Sequence, residues 1–270
     1  MPLLTDLIPE LEAAIRISRG APRRSAYALL ARVYHASAAA LVKLGELAAA
    51  WVAADRAIAA AEQADDKLLM AEGAFRLTSV FQSARQYDQA EHAALTAVDA
   101  LTPLVEGGSL PAISLRGALC LQLAVVAGRQ NDADAAEAHL TAAREAAQRL
   151  GGDRNDYNTE FGPTNVALHE IAVAVELGDA GTALRRAAAV DAKRLSPERQ
   201  GRLLLDVARA HLQRHNAEGA IRALADAERV TPEQTQQHWI VRNILQDLER
   251  SGHGRDPRVQ GLKDRSATRI

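Results

Sequence analysis

Histidine and cysteine are the side chains whose protonation chemistry lies nearest neutral pH, and this chain has eight of the first and one of the second. The histidines are His35, His92, His139, His169, His211, His215, His238 and His253. His211 and His215 stand four apart, which is half of a zinc site, but His215 falls on an expected turn and a zinc ion needs three or four ligands. His169-Glu170 starts a His-Glu-x-x-His pattern that lacks its second histidine. There is no glycine-rich phosphate loop and no Gly-x-Ser-x-Gly elbow. Cys120, in Leu119-Cys120-Leu121, reads as a small buried hydrophobe. These patterns assign no catalytic residue, no metal and no cofactor, and the expected class is a binding protein rather than an enzyme.

The elements that must carry any binding residues follow from composition. The chain of 270 residues is 48% hydrophobic and only 3% aromatic. Alanine supplies roughly a fifth of it, well above ordinary usage. Alanine is the best helix former, and a core of Ala and Leu lets helices approach closely, whereas strands favour β-branched and aromatic residues. A formal charge of −2 gives no general attraction to phosphate backbones, so direct nucleic-acid binding is not expected. A single cysteine suits a reducing cytoplasm. The start, Met1-Pro2-Leu3-Leu4-Thr5-Asp6, has no secretory pattern, and no apolar run is read as approaching the roughly 18 residues of a membrane span. The expected location is cytoplasmic, away from membranes.

Internal repetition is the strongest signal. Five segments share a first-helix residue at the crossing, small in most of them, then a turn, an alanine about five residues later and a further Ala or Val about seven after that. They are Ala38, Gly45, Ala50 and Ala57; Leu77 and Phe81, Arg85-Gln86-Tyr87, Ala90 and Ala97; Leu123-Ala124, Asn131-Asp132, Ala136 and Ala143; Ala174, Gly178-Asp179, Ala183 and Val190; and Val207-Ala208, His215-Asn216, Ala220, Leu224 and Ala227. The small residues sit where two helices cross, since a larger side chain would force them apart. This is the pattern of a tetratricopeptide-repeat-like α-solenoid, with repeats longer than the usual ~34 residues. Asp66, Ser196-Pro197 and Thr231-Pro232 read as helix starts, and Gly107-Gly108 and Gly151-Gly152 as stops. A leading helix over Leu4 to Ile17 and a capping helix with Trp239, Ile240, Ile244, Leu245 and Leu248 close the ends. The repeat domain is placed at 1–250, and the polar, basic residues 251–270 are expected to be disordered.

In such a stack the first helix of each hairpin lines the inner face. Polar side chains there are the candidate partner-binding residues: His35, Arg76, Gln122, Asn165, His169, Asp206 and Arg209, with Arg32, Glu72, Ser79 and Arg202 beside them. Asn165 and His169, four apart, share one helix face. The long polar loop before them adds Tyr157 and Phe161. The alternatives are plain: Tyr157 and Phe161 as plugs between hairpins, Asn165 as a cap, His169 as an interior histidine, the arginines as a solvated face, and Trp51 and Trp239 as packing anchors. The groove would take a peptide, a small molecule or a protein.

The stretch Gly152-Asp153-Arg154-Asn155-Asp156-Tyr157-Asn158-Thr159-Glu160-Phe161-Gly162-Pro163-Thr164-Asn165-Val166, with His169 and Glu176-Leu177-Gly178-Asp179 after it, resembles the C-terminal region of actinobacterial helix-turn-helix transcription regulators of the Cro/repressor (XRE) type. Tyr34-His35-Ala36, Lys43-Leu44-Gly45-Glu46 and Trp51-Val52-Ala53-Ala54-Asp55-Arg56-Ala57 resemble their first repeat. The resemblance implies a sensor module that binds a ligand, peptide or protein and can self-associate as a homodimer. Such regulators carry a DNA-binding domain ahead of this region. Here the leading helix is too short to be one, so the resemblance gives no residue a DNA-reading role. The alternative is a stand-alone scaffold for protein–protein interaction.

Overall fold

The computed structural model describes residues 2–191, 195–237 and 239–267, with side chains for 6–191, 195–233, 235–236 and 240–265. A leading helix α1 (Pro2–Ile17) is followed by five hairpins: α2 (Gly20–Leu44) with α3 (Leu47–Ala64), α4 (Lys67–Ser83) with α5 (Tyr87–Glu106), α6 (Leu110–Arg129) with α7 (Ala133–Leu150), α8 (Pro163–Glu176) with α9 (Ala180–Ala189), and α10 (Pro197–Gln213) with α11 (Ala217–Val230). Three further helices end the chain: α12 (Pro232–Gln237), α13 (Trp239–Arg250) and α14 (Pro257–Ala267). Among the described residues the one β-type pairing is an isolated antiparallel bridge between Arg154 and Phe161. The chain is an all-α, tetratricopeptide-like repeat protein.

Every expected hairpin turn holds one residue in the left-handed region: Gly45, Arg85, Asn131, Gly178 and His215, with φ of 80°, 59°, 60°, 79° and 56°. Each is followed by the same closing bond, in which an amide donates to the carbonyl five residues back: Glu46 to Leu41, Gln86 to Phe81, Asp132 to Ala127, Asp179 to Ala174 and Asn216 to His211. This bond satisfies a carbonyl that the helix end leaves without a partner and turns the chain sharply. In three of the turns the next side chain starts the second helix: Asp132, Asp179 and Asn216 accept from the backbone amides of Ala135, Thr182 and Gly219. Asp66 and Ser196 cap α4 and α10 in the same way.

The small residues lie at the crossings. Ala38, Ala50, Ala57, Ala90, Ala136, Ala143, Ala208, Ala220 and Ala227 are buried, so the paired helices nearly touch there. Cys120 is buried in the apolar α6, and burial pushes its thiol up to about 11. By length and composition α6 would suffice to cross a bilayer, contrary to the sequence reading, but 83% of the stretch is buried inside the protein. Trp51 is 47% exposed and is not the packing anchor expected of it. The Trp239 side chain lies outside the described residues.

The chain divides into two compact units, residues 1–166 and 167–270, where the repeat pattern gave one domain over 1–250. In the second unit α13 packs Ile240, Val241, Ile244, Leu245 and Leu248 against α10 and α11. The segment expected to be disordered also folds: α14 buries Val259 and Leu262 in the same cluster. Its arginines pair with α11, Arg258 with Glu218 at 2.8 Å and Arg265 with Glu228 at 2.6 Å. Two apolar residues three positions apart, with polar and basic residues around them, make too weak a pattern to show by themselves.

Candidate functional site

In the first unit α2 touches α4 and α4 touches α6, so the first helices of three hairpins form one layer. Their polar side chains meet within it. Glu72 on α4 is only 4% exposed, and Arg76, one turn on, places Nη2 3.3 Å from Glu72 Oε1. His35 on α2 is 2% exposed, with Nε2 3.7 Å from Glu72 Oε2. Neither ring nitrogen of His35 has a hydrogen-bond partner at normal geometry. Burial, then the positive charges of Arg76 and Arg32, hold the imidazole down at about 3, so it is neutral at ordinary pH. Burial pushes the Glu72 carboxyl up, against the pull of Arg76. The helices are close because Gly73 has no side chain: a Cβ there would lie 2.4 Å from Ile58 Cγ1 and 3.3 Å from His35 Cε1.

Gln122 on α6 braces the neighbouring helix rather than facing a ligand. Its amide donates to the Phe75 carbonyl at 3.3 Å and to Ser79 Oγ at 3.0 Å, and its oxygen accepts from Gln82 Nε2 at 3.1 Å. These bonds satisfy a side chain that would be costly to bury alone.

The loop between α7 and α8 folds back onto this layer. Asp153 anchors its base by accepting from the Thr164 amide and hydroxyl at 3.0 and 2.5 Å. Arg154 forks Asp156, Nε to Oδ2 at 2.7 Å and Nη2 to Oδ1 at 3.1 Å, and the Arg154 amide donates to the Phe161 carbonyl at 2.8 Å. Phe161 is fully buried with its ring over Gly117 of α6, so it belongs to the core and is withdrawn as a ligand contact. Tyr157 sits at the loop tip in a single 3-10 turn, Asp156–Asn158, with φ 54° and ψ 28°. Asn158 and Glu160 are also left-handed, at φ 53° and 47°. A left-handed non-glycine residue costs roughly 1–2 kcal/mol, so the tip is held by its contacts. Those contacts are of two kinds: the loop's own bonds, Thr159 Oγ1 to the Asp156 carbonyl at 2.8 Å and the Glu160 amide to Asn155 Oδ1 at 3.1 Å, and contacts with the layer. Arg76 Nη2 donates to the Tyr157 carbonyl at 3.0 Å, and the half-buried Tyr157 ring packs against the apolar clusters of α2, α4 and α6. Burial pushes its phenol up to about 12.

The second unit has its own polar group. Arg209 on α10 forks Glu176 on α8, Nη1 to Oε1 at 3.2 Å and Nη2 to Oε2 at 2.9 Å. It also reaches Asp206 Oδ1 at 3.5 Å, and Arg202 Nε lies 3.6 Å from Asp206 Oδ2. Asp206 is 2% exposed. Burial lowers the Arg209 pKa, and the Glu176 and Asp206 carboxylates outweigh it, so it ends above its ordinary value. Gln213 donates to the Val175 carbonyl at 2.8 Å, tying the same helices together.

The candidate residues therefore fall into two groups. His35, Arg76 and Tyr157 meet in the first unit; Asp206 and Arg209 meet in the second. Gln122 and Phe161 are structural. Asn165, buried near the start of α8, and His169, half-buried one turn on, lie either side of the unit boundary. One partner escaped the sequence candidates, Glu176. A sequence signal existed for Glu176: a carboxylate in the last turn of a helix faces the negative end of the dipole and calls for a cation. No group of three or more metal-binding side chains occurs among the described residues.

No protein-family model and no curated protein matches this chain. Among solved structures it is similar to the crystal structure of BtubC (BKLC) from P. vanneervenii, at a TM-score of 0.55 and 15% sequence identity, over 84% of this chain and 90% of that one. At that identity the likeness is one of fold.

Proposed function

We propose that this chain is a regulatory binding module: the sensor region of a helix-turn-helix transcription regulator, whose polar inner faces take a peptide, a small molecule or a protein. The observation that carries the reading is the charge buried on the first helices, Glu72 with Arg76 and Asp206 with Arg209. Hydrophobic side chains of similar volume would pack such a layer as well or better, because burying ions costs several kcal/mol that their attraction only partly returns. Charge kept at such positions is suited to recognition. The resemblance of the Gly152–Val166 segment to XRE-type regulators supplies the transcriptional part of the proposal. The module acts without catalysis and reaches DNA only through a separate DNA-binding domain.

The test joins the chain to a helix-turn-helix domain whose operator drives a reporter. Output should respond to growth conditions or added extracts, and Arg209→Met should change that response while the protein keeps its helical spectrum. Output identical to that of the DNA-binding domain alone under all conditions rejects the sensor reading and leaves the protein–protein scaffold. The isolated chain should give no sequence-selective shift of duplex DNA at physiological salt, since phosphate contacts supply most non-specific affinity.

A further inference from the structure

The loop tip is a peptide turn already seated on the layer where a partner would dock. Its base and its tip are held differently. The base has a buried aromatic anchor in Phe161, a backbone bridge between Arg154 and Phe161, and the Asp153 clasp on Thr164. The tip has three residues in the left-handed region, and its contacts with the layer include the hydrogen bond from Arg76 and the half-buried Tyr157 ring, beside the buried Thr159. The donor in that bond is an arginine already paired with Glu72, and its acceptor is a main-chain carbonyl, which any peptide can offer. The ring meets two apolar clusters, so the receptor side is an aromatic-sized slot with a guanidinium at its rim.

We propose that the α2–α4–α6 layer is a docking site for a tyrosine-bearing peptide turn, and that Asp156-Tyr157-Asn158 is its resident occupant, which a partner segment of the same chemistry displaces. The proposal rests on reading the inner face as a binding surface. The partner's tyrosine ring takes the slot of Tyr157, its main-chain carbonyl takes the Arg76 bond, and the freed tip relaxes out of the left-handed region. The base stays in place because Phe161 remains in the core. The competing occupant lowers the apparent affinity for a partner by the fraction of molecules in which the tip is open.

The test uses full-length Tyr157→Gly, in which glycine accepts the left-handed backbone and the slot is left unfilled. The probe is an acetylated, amidated peptide of residues 154–160, Arg-Asn-Asp-Tyr-Asn-Thr-Glu. Calorimetry should show binding to the variant at least about tenfold tighter than to the wild type, a difference of about 1.4 kcal/mol. Replacing the peptide's tyrosine by alanine, or adding Arg76→Ala to the variant, should remove most of that gain. Absence of binding to a folded Tyr157→Gly chain, or equal binding by the wild type, overturns the proposal. Hydrogen exchange of the wild type is the second measurement and does not depend on the variant folding. The amides of 155–160 should exchange through a local opening, well before those of α6. Exchange only with global unfolding shows a permanent plug and also overturns it. The reporter assay on Arg209 is independent of either result, so the two readings fail separately.

Discussion

The ring of Phe161 fills the space that a side chain on Gly117 would need: a Cβ built there would stand 2.1 Å from Phe161 Cζ. A glycine inside an apolar helix costs roughly 1 kcal/mol against alanine, so its presence in α6 calls for a reason, and the seated ring supplies it. Gly117→Ala should overpack this contact and lower stability by about 1–3 kcal/mol. Phe161→Ala should empty it and lower stability by about 3–5 kcal/mol. Because the two groups touch, the double variant should depart from the sum of the single ones, which urea titrations of all three will read.

His35 makes the first unit acid-sensitive. Its folded pKa, near 3, lies below the ordinary 6.5, so between those values the unfolded chain binds a proton that the folded chain does not. Stability from this group is full above about pH 6.5 and falls as pH drops toward 3, by at most about 1.4 kcal/mol per pH unit. The raised Glu72 pKa acts in the opposite sense, favouring the folded state at lower pH. His35→Leu should therefore lose less stability than the wild type between pH 6.5 and pH 5, measured by denaturant midpoints at each pH.

Arg209 bridges two largely buried carboxylates, Glu176 and Asp206, the second of which also lies beside Arg202. Arg209→Ala should cost about 3 kcal/mol, the range for breaking a buried pair from one side. Arg209→Lys should restore only part of this, since an ammonium cannot reproduce the two-pronged contact with Glu176. Arg222→Ala, at an exposed pair with Glu218, should change the melting midpoint little.

Ending the chain after Gly254 should destabilise the second unit. Val259 and Leu262 of α14 are buried against α11 and α13, and burial of such a side chain is worth about 1.5–3 kcal/mol. A loss of about 3–5 kcal/mol in the melting transition of the second unit is expected. An unchanged melt would mean that the tail contributes nothing to the fold.

The hairpins were legible because their determinants are local. A residue able to enter the left-handed region, a capping side chain and alanines at fixed distances act within one or two turns of helix, so Gly45, Asn131-Asp132 and Gly178-Asp179 announce the corners before any packing is known. Even Arg85 and His215, where no glycine marks the corner, were readable from the repeat spacing around them. What each polar residue does was decided only by the tertiary structure. Gln122 and Arg76 are alike in the sequence pattern, both polar on a first helix, yet one is closed on Phe75, Ser79 and Gln82 and the other holds a carbonyl 81 positions away. Tyr157 and Phe161 share a loop, yet one lies at a strained tip and the other in the core over Gly117. The physical reason is distance along the chain. Backbone geometry and capping depend on neighbours within about five residues, whereas burial, pairing and pKa depend on charges and surfaces that the fold brings from elsewhere.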